Sequence, residues 1–290
     1  MALLIESAPA KINLTLRILG RRPDGYHALH SVVAFAGSCD VVALDTAASP
    51  GVSVSGPFAA RLSGPNIVQR ALELVALRYP DVRLGHVSMT KNLPVAAGLG
   101  GGSADAAAVL RLLRRANPAV AADTDWLALA AGLGADVPAC LHNAAAFITG
   151  TGTAVTPIGA FPILHAVLVN TLAPVPANKT REVFAALSAG PVDAGAPVAS
   201  PPRFTDAASV IAFIAQQGCN DLTLAAGRIM PSIDAAMAVL TAQPGCRIAR
   251  LSGAGPTAFG VFDTPAIARN AAATIRAAHP DWWVAATTIG

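Results

Sequence analysis

Alternating polar and apolar positions open the chain and predict its first strand. In residues 10–18, polar side chains alternate with isoleucine and leucine, which is the period of a strand with one face in a core. Strand-like sequence extends over residues 2–19. Short apolar or alternating runs predict further strands at 31–35, 41–44, 52–54, 86–90, 147–157, 166–170 and 282–288.

A second pattern, with a period near 3.6, predicts helices among these strands. In residues 67–78 the apolar positions recur at i, i+3 and i+4, and Asn66 is placed to cap the helix that they predict. Either Thr124 or Asp125 is placed to cap another helix. The further helices are predicted at 106–115, 126–131, 180–184, 207–216, 221–226, 233–240 and 266–278.

The chain is long enough for two domains. It has 290 residues, and a domain takes roughly 150; we expect the domains to be 1–158 and 159–290. Hydrophobic residues make up 53% of the chain and charged residues 13%, so a sizeable core can form. A stretch rich in Ala, Gly and Pro at 185–202 predicts a long surface loop.

The charge distribution argues against a nucleic-acid partner. The formal net charge is +3, and basic and acidic residues are mixed along the chain, whereas nucleic-acid binding calls for a concentrated basic stripe. The N-terminus has no basic region and reaches Glu6 too soon for a signal peptide. We therefore expect a soluble, cytoplasmic protein with no membrane partner.

Residues 137–178 contain no Asp, Glu, Lys or Arg. Their length alone would permit a membrane span, but glycines, prolines and threonines break the stretch into short pieces typical of strands in a core. The four cysteines form no CxxC pair, which is typical of buried free thiols in a reducing compartment. They are Cys39, Cys140, Cys219 and Cys246.

A glycine run in the first half of the chain predicts an anion site. Four glycines fall within residues 98–102 and lead into the helix predicted at 106–115. Glycine lets backbone N–H groups approach an anion, and a helix start adds unpaired N–H groups and the positive end of its dipole. The same letters also fit a turn that only caps a helix. A second glycine-rich turn lies between two predicted strands at 250–262.

Two charged residues stand out from their surroundings. Lys11 lies on the polar face of the first strand, where a solvated lysine is the ordinary alternative to a functional one. Asp136 is the last charge before a long apolar stretch, where an unpaired carboxylate is costly. Such a group needs a nearby cation or has a chemical role. Capping a short helix before Pro138 is the alternative.

Neither standard nucleotide-binding fingerprint is present. The dinucleotide pattern G-x-G-x-x-G/A should follow a strand and open a helix. The first glycine run lacks its third small residue at the required step, and residues 253–258 run into the strand-like residues 259–262. The Walker A pattern is also missing. A dinucleotide-dependent oxidoreductase is therefore disfavoured.

Three motifs resemble those of the GHMP small-molecule kinase superfamily, which includes galactokinase, homoserine kinase and mevalonate kinase. They are an N-terminal motif at 9–14, a phosphate loop at 94–108 and a glycine motif at 252–257. Their order matches, and together they span the chain from end to end. The resemblance implies an α+β, two-domain GHMP-kinase-like fold: a ribosomal protein S5 domain 2-like N-terminal domain and a ferredoxin-like α/β C-terminal domain.

Further segments resemble one branch of this superfamily, the kinases that phosphorylate a cytidine diphosphate derivative of methylerythritol in non-mevalonate isoprenoid synthesis. These segments are 10–14, 20–27, 98–103, 132–138 and 220–222. The resemblance implies transfer of a phosphoryl group from ATP, with Mg²⁺, to the 2-hydroxyl of that substrate. The implied partner is therefore a small-molecule cytidine diphosphate.

The same resemblance implies roles for individual residues. Asp136 is expected to be the general base for the attacking hydroxyl, with Lys11 beside it to keep the carboxylate ionised. The expected ATP-binding residues are Pro94, Gly98, Leu99, Gly100, Gly101, Gly102, Ser103 and Ala104, with Asn66 on the adenine side. The expected substrate-binding residues are Asn13, Tyr26, His27, Thr180 and Phe184. No side chain is assigned as a metal ligand, and Mg²⁺ is expected with ATP near Ser103.

One position departs from the family, and two alternatives stay open. Where the family often has a second serine after the glycines, this chain has Ala104, which puts a two-hydroxyl phosphate contact in doubt. A kinase acting on homoserine or mevalonate would keep the glycine run but would not need the segment 24–27. A non-catalytic ligand sensor would typically have lost Lys11 or Asp136, and both are present. The sequence gives no prediction of the oligomeric state.

Overall fold

The computed structural model describes residues 3–193, 199–217 and 220–290. It divides into two compact units, each assembled from separate stretches of the chain. The first unit comprises Met1–Ala10, Cys39–Val95 and Gly100–Asn143, and the second comprises Lys11–Ser38, Ala96–Leu99 and Ala144–Gly290. Because units of packing need not be independently folding domains, the boundary at residue 158 stays a prediction.

Helices and strands are mixed along the chain, which confirms the α+β prediction. The strands are β1 (Leu3–Asn13), β2 (Arg17–Arg21), β3 (His27–Asp45), β4 (Gly51–Ser55), β5 (His86–Thr90), β6 (Ala146–Gly150), β7 (Ala154–Pro157), β8 (Leu164–Asn170), β9 (Cys246–Leu251), β10 (Ala258–Phe262) and β11 (Trp283–Ile289). The helices are α1 (Ile67–Arg78), α2 (Gly101–Ala116), α3 (Pro118–Ala121), α4 (Trp126–Leu133), α5 (Val137–His142), α6 (Lys179–Ala186), α7 (Ala207–Gln217), α8 (Thr223–Ile229), α9 (Ser232–Thr241) and α10 (Pro265–Ala278).

The first unit is organised around α2. This helix contacts α1, α4 and α5, and it is buried continuously from Ala104 to Leu110. α1 contributes its predicted apolar stripe of Val68, Ala71, Leu72 and Val75. β5 is parallel to β4 and antiparallel to residues 41–45 of β3. The helix that begins in the glycine run is therefore held on several sides.

The second unit contains an antiparallel sheet in the order β11, β8, β10, β9. α9 and α10 pack on this sheet through a core that includes Val167, Leu240, Phe262 and Ile275. Residues 27–33 of β3 belong to the same unit, where they pair with β2 and β6. Ile289 of β11 pairs with Ala36 of β3.

Several element boundaries differ from the prediction, most clearly at β3, at β6–β7 and at the start of α2. β3 is one strand of 19 residues where the pattern predicts two, because Ala36 pairs with β11 and the amide of Ser38 donates to Thr287 Oγ1 at 2.9 Å. The strand predicted at 147–157 is the hairpin β6–β7, with Gly150 and Gly152 at positive φ around its turn. α2 begins at Gly101, inside the glycine run and before the predicted start at residue 106.

The charge-free stretch 137–178 contains the strands β6 and β8, which are mostly buried, as predicted for core strands. It also contains the helix α5, which was not predicted, and the largely exposed strand β7. No helix in the described ranges is both long enough and apolar enough to cross a bilayer. Of the loop predicted at 185–202, residues 194–198 lie outside the described residues, and α6 extends to Ala186. Cys39 and Cys246 are free thiols that are half-buried, and Cys219 lies outside the described residues.

Candidate active site

The glycine run becomes the N-terminus of α2 in the first unit. Gly100 is the N-cap at φ 61°, in the left-handed region that glycine tolerates. No side chain caps this helix, and its first turn carries no acidic residue. The N–H groups of the first turn and the positive end of the dipole are therefore not used by a capping side chain. Both features fit the phosphates of ATP.

The residues around this helix start divide between surface and core. Gly102 is exposed and Ser103 is half-buried, whereas Ala104 is 1% exposed. The methyl group of Ala104 therefore belongs to the core, and Ser103 is the residue of the pair with an accessible side chain. Asn66 caps α1 by accepting a 2.9 Å hydrogen bond from the Val68 amide, which confirms its predicted capping role.

A buried charged cluster lies next to the same helix start, and sequence reasoning missed it. The Lys91 ammonium donates to Asp40 Oδ2 and, at 2.6 Å, to Asp105 Oδ2. The other Asp40 oxygen accepts from the amides of Asn92 (2.5 Å) and Leu93 (2.8 Å). A Cβ on Gly101 would lie 3.3 Å from Lys91 Nζ, so the cluster adjoins the first turn of α2.

The cluster holds two carboxylates for one ammonium. Asp40, Lys91 and Asp105 are all at most 2% exposed, and Asp105 Oδ1 has no hydrogen-bond partner among the described residues. Burial, together with the Asp40 carboxylate, raises the pKa of Asp105 to about 7. Burial alone would lower the pKa of Lys91, but the two carboxylates outweigh burial and raise it. The available signal for Asp105 was its position as the only charged residue between Lys91 and Arg111, directly before the helix predicted at 106–115.

Asp136 is the N-cap residue of α5, in the first unit. Its side chain makes no capping hydrogen bond, so helix capping does not account for this carboxylate. The residue is half-buried, and Val137 and Pro138 after it are buried. Lys11, its expected partner, belongs to the second unit.

In the second unit, residues of the three sequence motifs converge. The amide of Lys11 donates to Leu99 O at 2.8 Å. The amide of Asn13 donates to Ser252 Oγ at 3.2 Å, and the Ser252 hydroxyl donates to Gly98 O at 2.9 Å. The N-terminal motif, the first part of the glycine run and the second glycine-rich turn therefore form one hydrogen-bonded group.

Gly98 allows the two glycine motifs to touch. It has φ 76°, and a Cβ built on it would lie 2.6 Å from both Gly255 O and Ser252 O. Such a distance is far inside van der Waals contact, so only glycine fits. The amide of Thr257 also donates to Ala97 O at 3.1 Å. Gly98 thus has a packing role that is separate from any contact with phosphate.

The segment 220–222 fastens this group from another side. Asn220 Nδ2 donates to Leu251 O at 3.0 Å and to Gly253 O at 2.6 Å. Asp221 accepts from the Ile18 amide at 2.8 Å and forms an ion pair with Arg17. These contacts give the segment a structural function in holding β2 and the second glycine turn.

The residues expected to bind cytidine lie on β3, just before it, and on α6. The rings of His27 and Phe184 have centroids 5.1 Å apart at an interplanar angle of 34°. Burial, followed by the charge of Arg21, lowers the pKa of His27, which favours the neutral form of its imidazole. Tyr26 is 68% exposed and Thr180 is also exposed. An exposed aromatic ring such as that of Tyr26 can stack on a base.

No group of three or more His, Cys, Asp or Glu in the described ranges is arranged to hold a metal ion. Mg²⁺ in kinases is commonly held by one or two carboxylates together with substrate phosphates, without a dedicated cage.

Comparison with known proteins gives the family. The model described as "GHMP kinases N terminal domain" matches residues 66–149, and "GHMP kinases C terminal" matches residues 204–281. A homoserine kinase structure from Cytophaga hutchinsonii, with TM-score 0.63 and 15% identity over 98% of this chain and 94% of that one, shares the fold.

Two proteins match more closely. The 4-diphosphocytidyl-2-C-methyl-D-erythritol kinase of Azorhizobium caulinodans is 45% identical over 100% of both chains. A crystal structure of 4-(cytidine 5'-diphospho)-2C-methyl-D-erythritol kinase has TM-score 0.75 and 32% identity, covering 99% of each chain. With relatives of this name matching over its whole length, the chain belongs to the 4-diphosphocytidyl-2-C-methyl-D-erythritol kinase family of the GHMP kinases.

Proposed function

We propose that this chain phosphorylates the 2-hydroxyl of 4-diphosphocytidyl-2-C-methyl-D-erythritol with ATP, giving the 2-phosphate and ADP. The observation that carries the proposal is 45% identity over the full length of a kinase with this name. The uncapped start of α2 supports it, because phosphoryl transfer depends mainly on positioning and on stabilising phosphate charge.

In this proposal the ATP phosphates bind at the start of α2. Backbone N–H groups of Gly101, Gly102 and Ser103 face the anion, and the Ser103 hydroxyl adds a hydrogen bond. Asn66 and Pro94 lie on the nucleotide side. Mg²⁺ accompanies ATP and neutralises part of the phosphate charge.

Asp136 is the proposed general base. It takes the proton from the 2-hydroxyl as the oxygen attacks the γ-phosphate of ATP. Lys11 is proposed to keep this carboxylate ionised, since a nearby cation favours the charged form of an acid. The assignment is supported by the position of Asp136, which is half-buried at the start of α5 and is followed by the buried residues Val137 and Pro138.

The cytidine end of the substrate is proposed to lie at Tyr26, His27 and Phe184. The exposed ring of Tyr26 and the ring of Phe184 stack on cytosine, and the neutral imidazole of His27 exchanges hydrogen bonds with its polar edge. Asn13 and Thr180 contact the erythritol or diphosphate part. We also propose that the reaction takes place in the cytoplasm.

ADP release from the purified chain tests the proposal. The acceptor panel contains the cytidine diphosphate methylerythritol, methylerythritol 4-phosphate without cytidine, homoserine and mevalonate. We expect turnover with the first acceptor alone. Turnover with homoserine or mevalonate in preference to it would contradict the proposal and favour another GHMP-type kinase.

A further inference from the structure

Lys179 is a buried lysine that the proposed reaction does not use. It is the first residue of α6 and is 6% exposed. Its ammonium donates to Ala96 O at 3.1 Å and to Gly255 O. Both acceptors are backbone carbonyls, and no described carboxylate forms an ion pair with it. One side chain therefore joins the first part of the phosphate loop to the second glycine-rich turn.

Both carbonyls belong to strained or tightly turned backbone. Ala96 has φ 55°, in the left-handed region where an L-residue with a Cβ pays an energetic cost. Gly255 has φ 73° in the facing turn. A conformation of this kind persists only when its surroundings over-determine it. The ammonium of Lys179 supplies that restraint at Ala96.

An ammonium in such a place is costly for the fold. Burial lowers the pKa of Lys179 to about 8, because no neighbouring negative charge offsets the loss of hydration. An apolar side chain of similar length would avoid that cost. A residue that costs stability and holds a strained backbone within the phosphate loop points to a positioning role.

We propose that Lys179 is a positioning residue of the nucleotide site, whose ammonium clamps Ala96 O to Gly255 O and so fixes the first part of the phosphate loop, ahead of the start of α2. The inference rests on the proposed function, because it assigns ATP to that loop. Lys179 acts through the backbone and touches no reacting atom. Its loss therefore weakens ATP binding more than acceptor binding.

The variants Lys179→Met and Lys179→Arg test the clamp, with Arg181→Met as the matched control. Methionine keeps the length and removes the charge, arginine keeps the charge, and Arg181 is an exposed cation on the same helix. We expect Lys179→Met to raise the KM for ATP about tenfold or more while the acceptor KM changes less than threefold. Arginine restores most of the loss, and Arg181→Met matches wild type.

A second substitution tests the strain directly. Glycine adopts the left-handed region freely, so Ala96→Gly in the Lys179→Met background should recover at least part of the lost ATP affinity. An unchanged KM for ATP in Lys179→Met would overturn the proposal. So would an equal weakening of both ligands with a lowered unfolding temperature, which is the result of a merely structural role.

Hydrogen–deuterium exchange separates this inference from the proposed function. The amides of Thr257 and Lys11 donate to Ala97 O and Leu99 O, and we expect both to exchange faster in Lys179→Met than in wild type. If exchange is faster in Lys179→Met but the wild-type chain releases no ADP, the proposed function is contradicted and the role of Lys179 in holding the backbone is supported. If exchange is unchanged in Lys179→Met but the wild-type chain is active, the proposed function is supported and the role of Lys179 is contradicted.

Discussion

At the scale of single residues, Asp136 begins a helix without capping it. Its carboxylate can therefore be replaced without removing a helix cap. We expect Asp136→Asn to lower kcat by roughly 10²–10⁴-fold, the usual contribution of a general base, while the KM for ATP changes little. Steady-state kinetics with the cytidine diphosphate acceptor measures both constants.

Asp123→Asn is the control for this experiment, because Asp123 is an exposed carboxylate in the same unit. It should leave both constants unchanged. A near-normal kcat in Asp136→Asn would show that Asp136 is not the general base and that another group accepts the proton.

Tyr26 offers a second test at this scale. Its ring is 68% exposed, so replacing it removes little packing. We expect Tyr26→Ala to raise the KM for the cytidine substrate about tenfold, the order of one stacking contact, and to leave the KM for ATP and the unfolding temperature nearly unchanged. Tyr26→Phe keeps the ring and should behave like wild type. Equal changes in both KM values would contradict cytosine stacking.

At the scale of elements, two glycines of one run have different functions. Gly98 has positive φ and sits against Gly255 O and Ser252 O, whereas Gly102 is helical and a Cβ there would lie 3.5 Å from Ile67 Cγ2. We expect Gly98→Ala to destabilise the fold by at least about 2 kcal/mol, from a left-handed alanine plus the clash. Urea unfolding measures the loss.

Gly102→Ala is the matched comparison. Alanine in a helix is more stable than glycine by roughly 0.5–1 kcal/mol, so the folding stability of this variant should not fall. Its methyl group stands at the exposed start of α2, and we expect weaker ATP binding instead. If both variants lose folding stability, or both lose only ATP binding, the two glycines do not have the different functions proposed here.

Local patterns predicted the elements well where each element is stabilised by its own residues. The stripe of α1, its Asn66 cap and the bounds of β5 follow from spacing alone. The length of β3 could not be predicted, because its middle is held extended by β11, far along the chain. The start of α2 was misplaced because glycine has a low helix propensity, which packing around this helix overrides.

At the scale of the whole molecule, the buried cluster of Asp40, Lys91 and Asp105 affects the pH dependence of stability. Burial raises the pKa of Asp105 to about 7, above its value in the unfolded chain. Protons therefore bind the folded state more tightly, and this stabilising contribution is complete below about pH 4 and is lost as the pH rises through about 7. Asp105→Asn removes the titrating group.

We expect the unfolding temperature of wild type, relative to that of Asp105→Asn, to fall by about 3 °C or more when the pH is raised from 5 to 8. Thermal unfolding of both proteins at several pH values measures it, and titrations elsewhere cancel in the difference. Asp125→Asn removes an exposed carboxylate that caps α4 and should give no slope in this range. A constant difference for Asp105→Asn would show that Asp105 stays ionised.

The family and its motifs could be identified from the sequence. The buried side chains that link the motifs by hydrogen bonds could not. Lys179 and Asp40 lie in no motif, and their partners are distant in sequence. The sequence around a buried charged residue does not indicate which carbonyl or carboxylate it contacts, in a chain of which 53% is hydrophobic. Such pairings depend on tertiary structure, so only coordinates reveal them.

The hydrogen bond from Ser252 to Gly98 spans 154 positions of the chain. During synthesis at 5–20 residues per second, residues 96–99 must wait roughly 8–30 s for this partner to be made. Until then Gly98 has no facing turn to pack against, and of the two carbonyls that Lys179 joins only Ala96 O has been made. The contacts of the nucleotide loop are therefore completed only when the C-terminal part of the chain is synthesised. We expect a truncated product that ends before residue 252 not to be retained on an ATP affinity resin.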